Sequence, residues 1–350
     1  MNSKERILTA LNHQEPDRVP VFASFVPEEI KKIKDHFKSE DITQTLLELG
    51  NDMIMVGHGF ATSYYAKEDD EYYDDWGCKW KYFQNNSGRY PEVIERPLSD
   101  KTKLNSYRIP DPYNDEQYKG SKSVIEKYGK NYWVFACIAC TIFECSWGLR
   151  GLDELMMDMV EDKDFVHELM DKVMEFPMVA GKKLIEMGID MLWTGDDVGM
   201  QTGMMISPGM WKEFLKPRYA KLFSEFKKLN PNIKIAYHSD GNCESILDDM
   251  YEIGLDVINP IQPACMNPAY IKKRYGKKLS MWGAVDIQHL IPFGKPEEID
   301  AGIKQLIADC APGGGFIMGP AHNVQADTSI ENILAFYKAA KKYGQYPVKL

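Results

Sequence analysis

Nowhere in its 350 residues does the chain run about 18 apolar residues without interruption, which argues against a membrane-spanning helix. Its start, MNSKERILTALNHQEPDRVP, lacks the apolar centre of a secretion signal, so a cytoplasmic location is expected. Basic residues are not in excess. Lys and Arg number 42 against 52 Asp and Glu, and the net charge of −10 speaks against a broad nucleic-acid surface, which needs clustered cations. No GxGxxG or P-loop follows the first strand candidate. Cysteines are few and odd in number: 78, 137, 140, 145, 243, 265 and 310. They read as free thiols rather than a disulfide framework. Cys137 and Cys140 form a CxxC at the end of an apolar run, with no second pair at zinc-ribbon spacing, and read as buried thiols.

What the chain does have is short apolar runs alternating with amphipathic segments. Strand candidates lie at 18–24, 52–57, 132–139, 190–195, 233–239, 255–260, 279–284 and 315–320. They are mostly apolar throughout, as parallel strands covered on both faces are. Helix signals fill the gaps. Ser207 and Pro208 can cap and open one helix, Gly254 can stop another, Glu297 and Glu298 sit in a first turn, and Ser329 can cap the last. About eight strand–helix pairs is the count of an α/β fold of the (β/α)8 TIM-barrel type. A doubly wound open sheet is the alternative, disfavoured by the missing glycine-rich loop. One domain spanning 1–350 is expected. Residues 64–112, dense in aromatics and acids, break the rhythm. They suggest a hairpin-like excursion near the catalytic mouth, either a solvated flap or a lid or partner surface.

The stretch KIAYHSDGN, 234–242, ends an apolar run on His238 and Asp240. Positions i and i+2 of a strand share a face, so the two side chains can meet in one volume; Ser-Asp-Gly also makes an ordinary turn. A barrel collects its chemistry at the C-terminal ends of strands. There the chain places His58, Asp196, Asp197, His238, Asp240, Asn259, Gln262, Asp286, His289 and His322. Four of seven histidines fall in this set, and that convergence favours a site over a turn. Two imidazoles and a carboxylate suit zinc, which in catalytic centres keeps three protein ligands and an open position. His238, Asp240 and His322 make such a set, with Asp197 able to replace Asp240. Alternatively, Asp196, Asp197 and His322 act as acids or orient substrate without metal, and adjacent carboxylates also cap helices. Met200, Met204, Met205 and Met210, with Trp147, Trp193 and Trp282, suit an adaptable pocket for a flat or apolar ligand. His58, Gln201, Asn259 and Gln262 are its candidate polar contacts. Any one Met or Trp taken alone reads as core; it is the group beside a polar rim that suggests a pocket.

Five segments, SKERILTALNHQEPDRVPV, GDDVGMQTGMMISPGMWKEFLKPRY, HSDGNCESILDDMYEIGLDVINPIQP, WGAVDIQHLIPFGKPEEI and APGGGFIMGPAHNVQADTSIENILAFYKAAKKYG, resemble the uroporphyrinogen decarboxylase superfamily in order and over nearly the whole chain. The resemblance implies a (β/α)8 barrel. It also implies one of two activities: porphyrinogen decarboxylation, or methyl transfer with a corrinoid (cobalamin) protein. The decarboxylases carry an RQAGR-type segment after the first strand, where this chain has VFASFVPEE without arginine. Their strand-two Asp falls near Gly57-His58 and their active-site Tyr near FECSWG; a late His is kept as His322. A polycarboxylate would therefore lack its cationic clamp. The thiol-specific methyltransferases bind zinc through a His-x-Cys and a distant Cys. Here His238 matches the His, Asp240 replaces the first Cys, and His322 aligns with the second. A harder N/O set suits an oxygen- or amine-linked methyl donor.

The expectation is a corrinoid-dependent methyltransferase with zinc, moving a methyl group from a small methoxylated or methylated donor to cobalamin on a partner corrinoid protein. No DxHxxG-type cobalamin segment is present in the chain itself. The alternatives are a decarboxylase or lyase acting on a smaller carboxylate through Asp196, Asp197 and His322, and a corrinoid- or tetrapyrrole-binding accessory protein. A homodimer is among the expected assemblies.

Overall fold

Seven of the eight apolar runs become parallel strands in the computed structural model, which describes residues 1–62, 64–65, 67–85 and 88–348. They are β1 (Met53–Val56), β5 (Trp133–Cys137), β6 (Met191–Gly195), β7 (Lys234–His238), β8 (Val257–Asn259), β9 (Ser280–Val285) and β10 (Phe316–Pro320). Their spatial order equals their chain order. The eighth run, 18–24, is not a regular strand. Pro20 has no N–H to give, and the run keeps one isolated parallel bridge, Val21 to Met318. The Phe22 amide donates to Met318 O, the Met318 amide to Pro20 O, and the Asp52 amide to Val21 O. This irregular stave therefore lies between β10 and the start of β1 and closes a (β/α)8 barrel.

Inside the barrel the two-residue strand period sets the layers. Met53, Met191, Ala236, Val257 and Ile317 share one buried cluster with Phe22, Phe135, Trp193 and Trp282. Neighbouring rings sit 5.1 to 5.3 Å apart, as in the Phe22–Phe135, Phe135–Trp282 and Trp193–Trp282 pairs. Burying each such side chain stabilises the fold by roughly 1.5–3 kcal/mol. The helix Ser3–Leu11, opened by an Asn2–Glu5 capping box, plugs the bottom with Ile7 and Leu11.

Outside, the expected caps are present. Ser207 accepts from the Met210 amide, and Ser329 from the Asn332 amide. The helix after Pro208 is wound as a π segment over Trp211–Leu215 before continuing through Lys216–Leu229. Pro217 cannot donate an i→i−4 bond to Glu213 O, and beside it the Arg218 side chain donates to the Phe214 carbonyl at 2.6 Å. The excursion is a three-stranded antiparallel sheet rather than a hairpin: β2 (Glu71–Tyr73), β3 (Lys79–Asn85) and β4 (Gly88–Glu95). The additional pairing is that of β2 with β3, too short to leave a strand signal. Positions 66, 86 and 87 of the excursion fall outside the described residues. Among the described residues no helix is long and apolar enough to cross a membrane.

Beneath the barrel, the fully buried Asp52 accepts from Arg6 at 2.6 Å, from both terminal nitrogens of Arg18 at 2.8 Å, and from the Val21 amide at 2.9 Å. The cluster ties the first helix, the irregular stave and β1 together. Removing the carboxylate takes the acceptor from Arg6 Nη1, from both terminal nitrogens of Arg18 and from the buried Val21 amide, leaving the Arg6 charge to Asp17. Asp52→Ala should therefore lower unfolding free energy by about 3–5 kcal/mol in urea denaturation.

Candidate metal and substrate site

The parallel register sets His238 opposite Gly195 of β6 on one side and Asn259 of β8 on the other. His238 Nδ1 lies 2.8 Å from Asn259 Oδ1, and that oxygen also accepts from Trp193 Nε1 at 3.0 Å. Two donors on one atom identify it as the amide oxygen, so Nδ1 carries the imidazole proton and Nε2 keeps its lone pair. Nε2 lies 3.8 Å from Asp240 Oδ1 and 3.7 Å from Asp197 Oδ1. The His322 ring, beyond β10, is centred 6.2 Å from the His238 ring. One ligand atom from each of His238, Asp240 and His322 lies within 4.8 Å of the others.

Two glycines allow this meeting. A Cβ on Gly199 would stand 2.4 Å from Asp240 O, and one on Gly241, where φ is +77°, 2.5 Å from Gly199 C. The loops after β6 and β7 thus pack backbone against backbone. Asp197 Oδ1 accepts from the Asp240 amide at 2.7 Å. Asp240 itself is partly exposed, yet its Oδ1 is buried and has no hydrogen-bond partner. Burial pushes its carboxyl above the usual carboxylate range, with Asp197 adding to the shift and His238 and His322 opposing it. An orphaned oxygen facing the free Nε2 of an oriented imidazole fits a cation between them.

His238, His322 and Asp197 line a cavity of about 650 Å³ at the barrel mouth, and Asp240 stands just behind them on an adjoining groove that shares His322. Trp193 and Trp282 line the cavity from the barrel core, and Tyr64, Tyr65 and Tyr90 come from the excursion, which places that segment at the C-terminal end of the strands. No Lys or Arg lines it among the described residues.

The expected residues divide. His238, Asp240, His322 and Asp197 converge. Asp196 does not reach the cavity: fully buried, it accepts from the Ile142 and Glu144 amides and from the Tyr219 hydroxyl at 2.5 Å. Burial pushes it up to about 6 against these donors. It is a framework residue, because its hydrogen-bonding capacity is taken by the loop after β5. Asn259 lines the cavity, but its polar atoms are committed to His238, Trp193 and the Trp282 carbonyl. Met200 is exposed at 51%, and the other loop methionines pack on the outer core, so the methionine-lined pocket is not formed; only Met55 lines the cavity. Gln201 and Gln262 border a separate open groove on the outer side of Asp240 and His322, as does His289. Gln201 donates to Ala264 O, and Gln262 accepts from the Gly241 amide. Trp147 lines a smaller side cavity. Cys137 lines the main cavity, and burial pushes its thiol up to about 11, the opposite of an activated thiolate.

Sequence reasoning passed over Glu144, whose only signal is an acid inside FECSWG. It lines both cavities and accepts from the Asp197 amide at 3.0 Å. Burial, then Asp197 and Asp196, push its carboxyl well up. His58 does line the main cavity, packed edge-on against Phe176, and accepts from the Phe60 amide at Nδ1.

A family model described as uroporphyrinogen decarboxylase (URO-D) matches residues 74–343. A methylated-thiol–coenzyme M methyltransferase of Methanosarcina mazei is 24% identical over 204 residues, 57% of this chain and 51% of that protein. The chain thus spans about half the length of that relative. A uroporphyrinogen decarboxylase of Actinobacillus pleuropneumoniae is 22% identical over 265 residues, 71% of each chain. Among solved structures, a methyltransferase from Methanosarcina mazei superposes with a TM-score of 0.74 at 19% identity, covering 98% of this chain and 99% of that one, a likeness of fold.

Burial lowers His58 from 6.5 to about 4. The unfolded chain takes up this proton first, so acidification from about pH 6.5 to 4 should remove on the order of 3 kcal/mol of stability through this group. Chemical denaturation across that range should show a flatter pH dependence for His58→Gln than for the native protein.

Proposed function

The chain belongs to the uroporphyrinogen decarboxylase (URO-D) family, and within it we propose a methyltransferase that passes a methyl group from a small methoxylated or methylated donor to a corrinoid on a partner protein. The observation that carries this reading is the His238–Asp240–His322 donor set at the edge of an aromatic cavity without cationic lining residues. A polycarboxylate porphyrinogen would find no clamp there. An apolar methyl-bearing group would find tryptophan and tyrosine walls. The chain is read as one functional unit over 1–350.

His238, Asp240 and His322 are the residues that would hold zinc, with Asp197 in reserve. Zinc so held would supply Lewis-acid polarisation of the heteroatom that bears the methyl group. The protein's own part is orientation and exclusion of water. Asn259 fixes the His238 tautomer and ring plane, while Trp193 is held through the same oxygen. Asp197 holds the Asp240 backbone, and Glu144 holds that of Asp197, so the loop after β5 braces the rim. Trp193 and Trp282 give the reacting group a dry floor. Nitrogen and oxygen donors favour an ether or amine donor over a thiol.

His238→Ala and His322→Ala should each remove most bound zinc and methyl transfer without loss of fold, measured by metal analysis and by methylation of added cobalamin. Asn259→Ala should weaken metal binding by about 10–100-fold, because it acts through His238. Protons compete for both imidazoles and for the raised Asp240 carboxyl, so zinc affinity should fall on acidification. A purified protein that contains no stoichiometric metal, ignores chelators and still transfers methyl groups would refute the zinc assignment. His238 would then be an acid/base or substrate-orienting residue. Efficient conversion of uroporphyrinogen would overturn the methyl-transfer reading as a whole.

A further inference from the structure

Eight arginines occur in the chain, and seven of them donate hydrogen bonds to other protein groups. Arg96 is the exception. None of its nitrogens has a hydrogen-bond or ion-pair partner among the described residues, and its Nε is buried. Its Nε has left water without a replacement, which costs free energy, while the terminal nitrogens stay uncommitted to any protein acceptor and so open to a ligand.

Arg96 follows β4 and lines the side cavity of about 270 Å³. Trp76, Trp80 and Trp147 form aromatic walls there, and Thr62, Tyr64 and Glu144 are shared with the main cavity. The two spaces therefore adjoin. Three carboxyl groups also line the side cavity, and none is bonded to Arg96. Asp74 accepts from the Cys78 amide and from Trp80 Nε1, both at 2.8 Å, and so serves its own turn. Glu144 accepts from the Asp197 amide, and Glu92 is exposed to bulk water. A planar fork of donors beside flat aromatic walls matches a planar anion joined to a ring.

We propose that the side cavity is a carboxylate subsite, in which Arg96 anchors an aromatic carboxylate donor whose methyl-bearing end faces the main cavity. The identity of the ligand as a methyl donor rests on the methyl-transfer reading; the anion subsite does not. One arginine serves one carboxylate, so the subsite selects a monocarboxylate and leaves the porphyrinogen argument intact.

The test is a titration of the zinc-loaded protein, followed by tryptophan fluorescence and calorimetry, with 4-methoxybenzoate, its neutral isostere 4-methoxybenzamide, and benzoate. Native protein should bind 4-methoxybenzoate about tenfold or more tighter than the amide, as a charge-assisted bidentate contact requires. Arg96→Gln should reduce that preference to about twofold or less, and Arg96→Lys should restore part of it. Benzoate, which has no methyl group to give, should compete with 4-methoxybenzoate, so the subsite is tested apart from methyl transfer. Equal affinity of acid and amide in the native protein would overturn the proposal without recourse to any variant. So would a preference that survives Arg96→Gln in a protein of native circular dichroism. Arg96-dependent binding with no methyl transfer from any donor would uphold the subsite and count against the methyltransferase reading alone.

Discussion

His238 sits opposite Gly195 on one side and Asn259 on the other, and the arrangement of the mouth follows from that register. Gly195 has φ +143°, and a Cβ there would stand 2.2 Å from His238 O, so β6 and β7 approach only because that position is bare. Asn259, directly across, takes the Nδ1 proton and leaves Nε2 for the mouth. A slip of one residue in either pair would turn His238 to the helix layer and break the tautomer-fixing bond. Asp240 and Asp197 then come within 4 Å of Nε2 through loops that touch at Gly199 and Gly241.

Stability and chemistry occupy opposite ends of the barrel, as the architecture favours. At the bottom the buried carboxylate is fully met, since Asp52 has Arg6, Arg18 and an amide, and the first helix closes the interior with Ile7 and Leu11. At the top the chain leaves groups unmet, with Asp240 Oδ1 orphaned, His322 exposed and Arg96 without a partner. Unmet groups cost free energy, and the packed aromatic interior between the two ends offsets that cost.

The excursion converts an open barrel mouth into a walled one. Its sheet is held by its own contacts, with Tyr72 stacked on Trp80 at an interplanar angle of 9° and Asp74 bonded to Trp80 Nε1. Being cohesive by itself, it can present Tyr64, Tyr65 and Tyr90 to the main cavity and Arg96 to the side cavity without disturbing the barrel layers.

Periodicity and strand-end position are local properties, and they were enough to place seven strands, the barrel class, and His238 with Asp240 on one face. Strand-end position also put His322 on the same rim, and the resemblance in sequence aligned it with a metal-binding position. The roles of Asp196, Asn259 and Met200 were not legible in this way, because a polar or soft residue at a strand end looks the same whether it faces a ligand or a neighbouring amide. Which it faces depends on groups far away in sequence: Tyr219 and the Ile142 amide for Asp196, His238 and Trp193 for Asn259. The idle Arg96 is likewise invisible in a sequence, since the absence of a partner is a fact about all the surrounding residues at once. The chain by itself determined the barrel and the donors that strand alternation aims inward. Tertiary packing decided which of those donors are already spent on the protein and which remain free to bind.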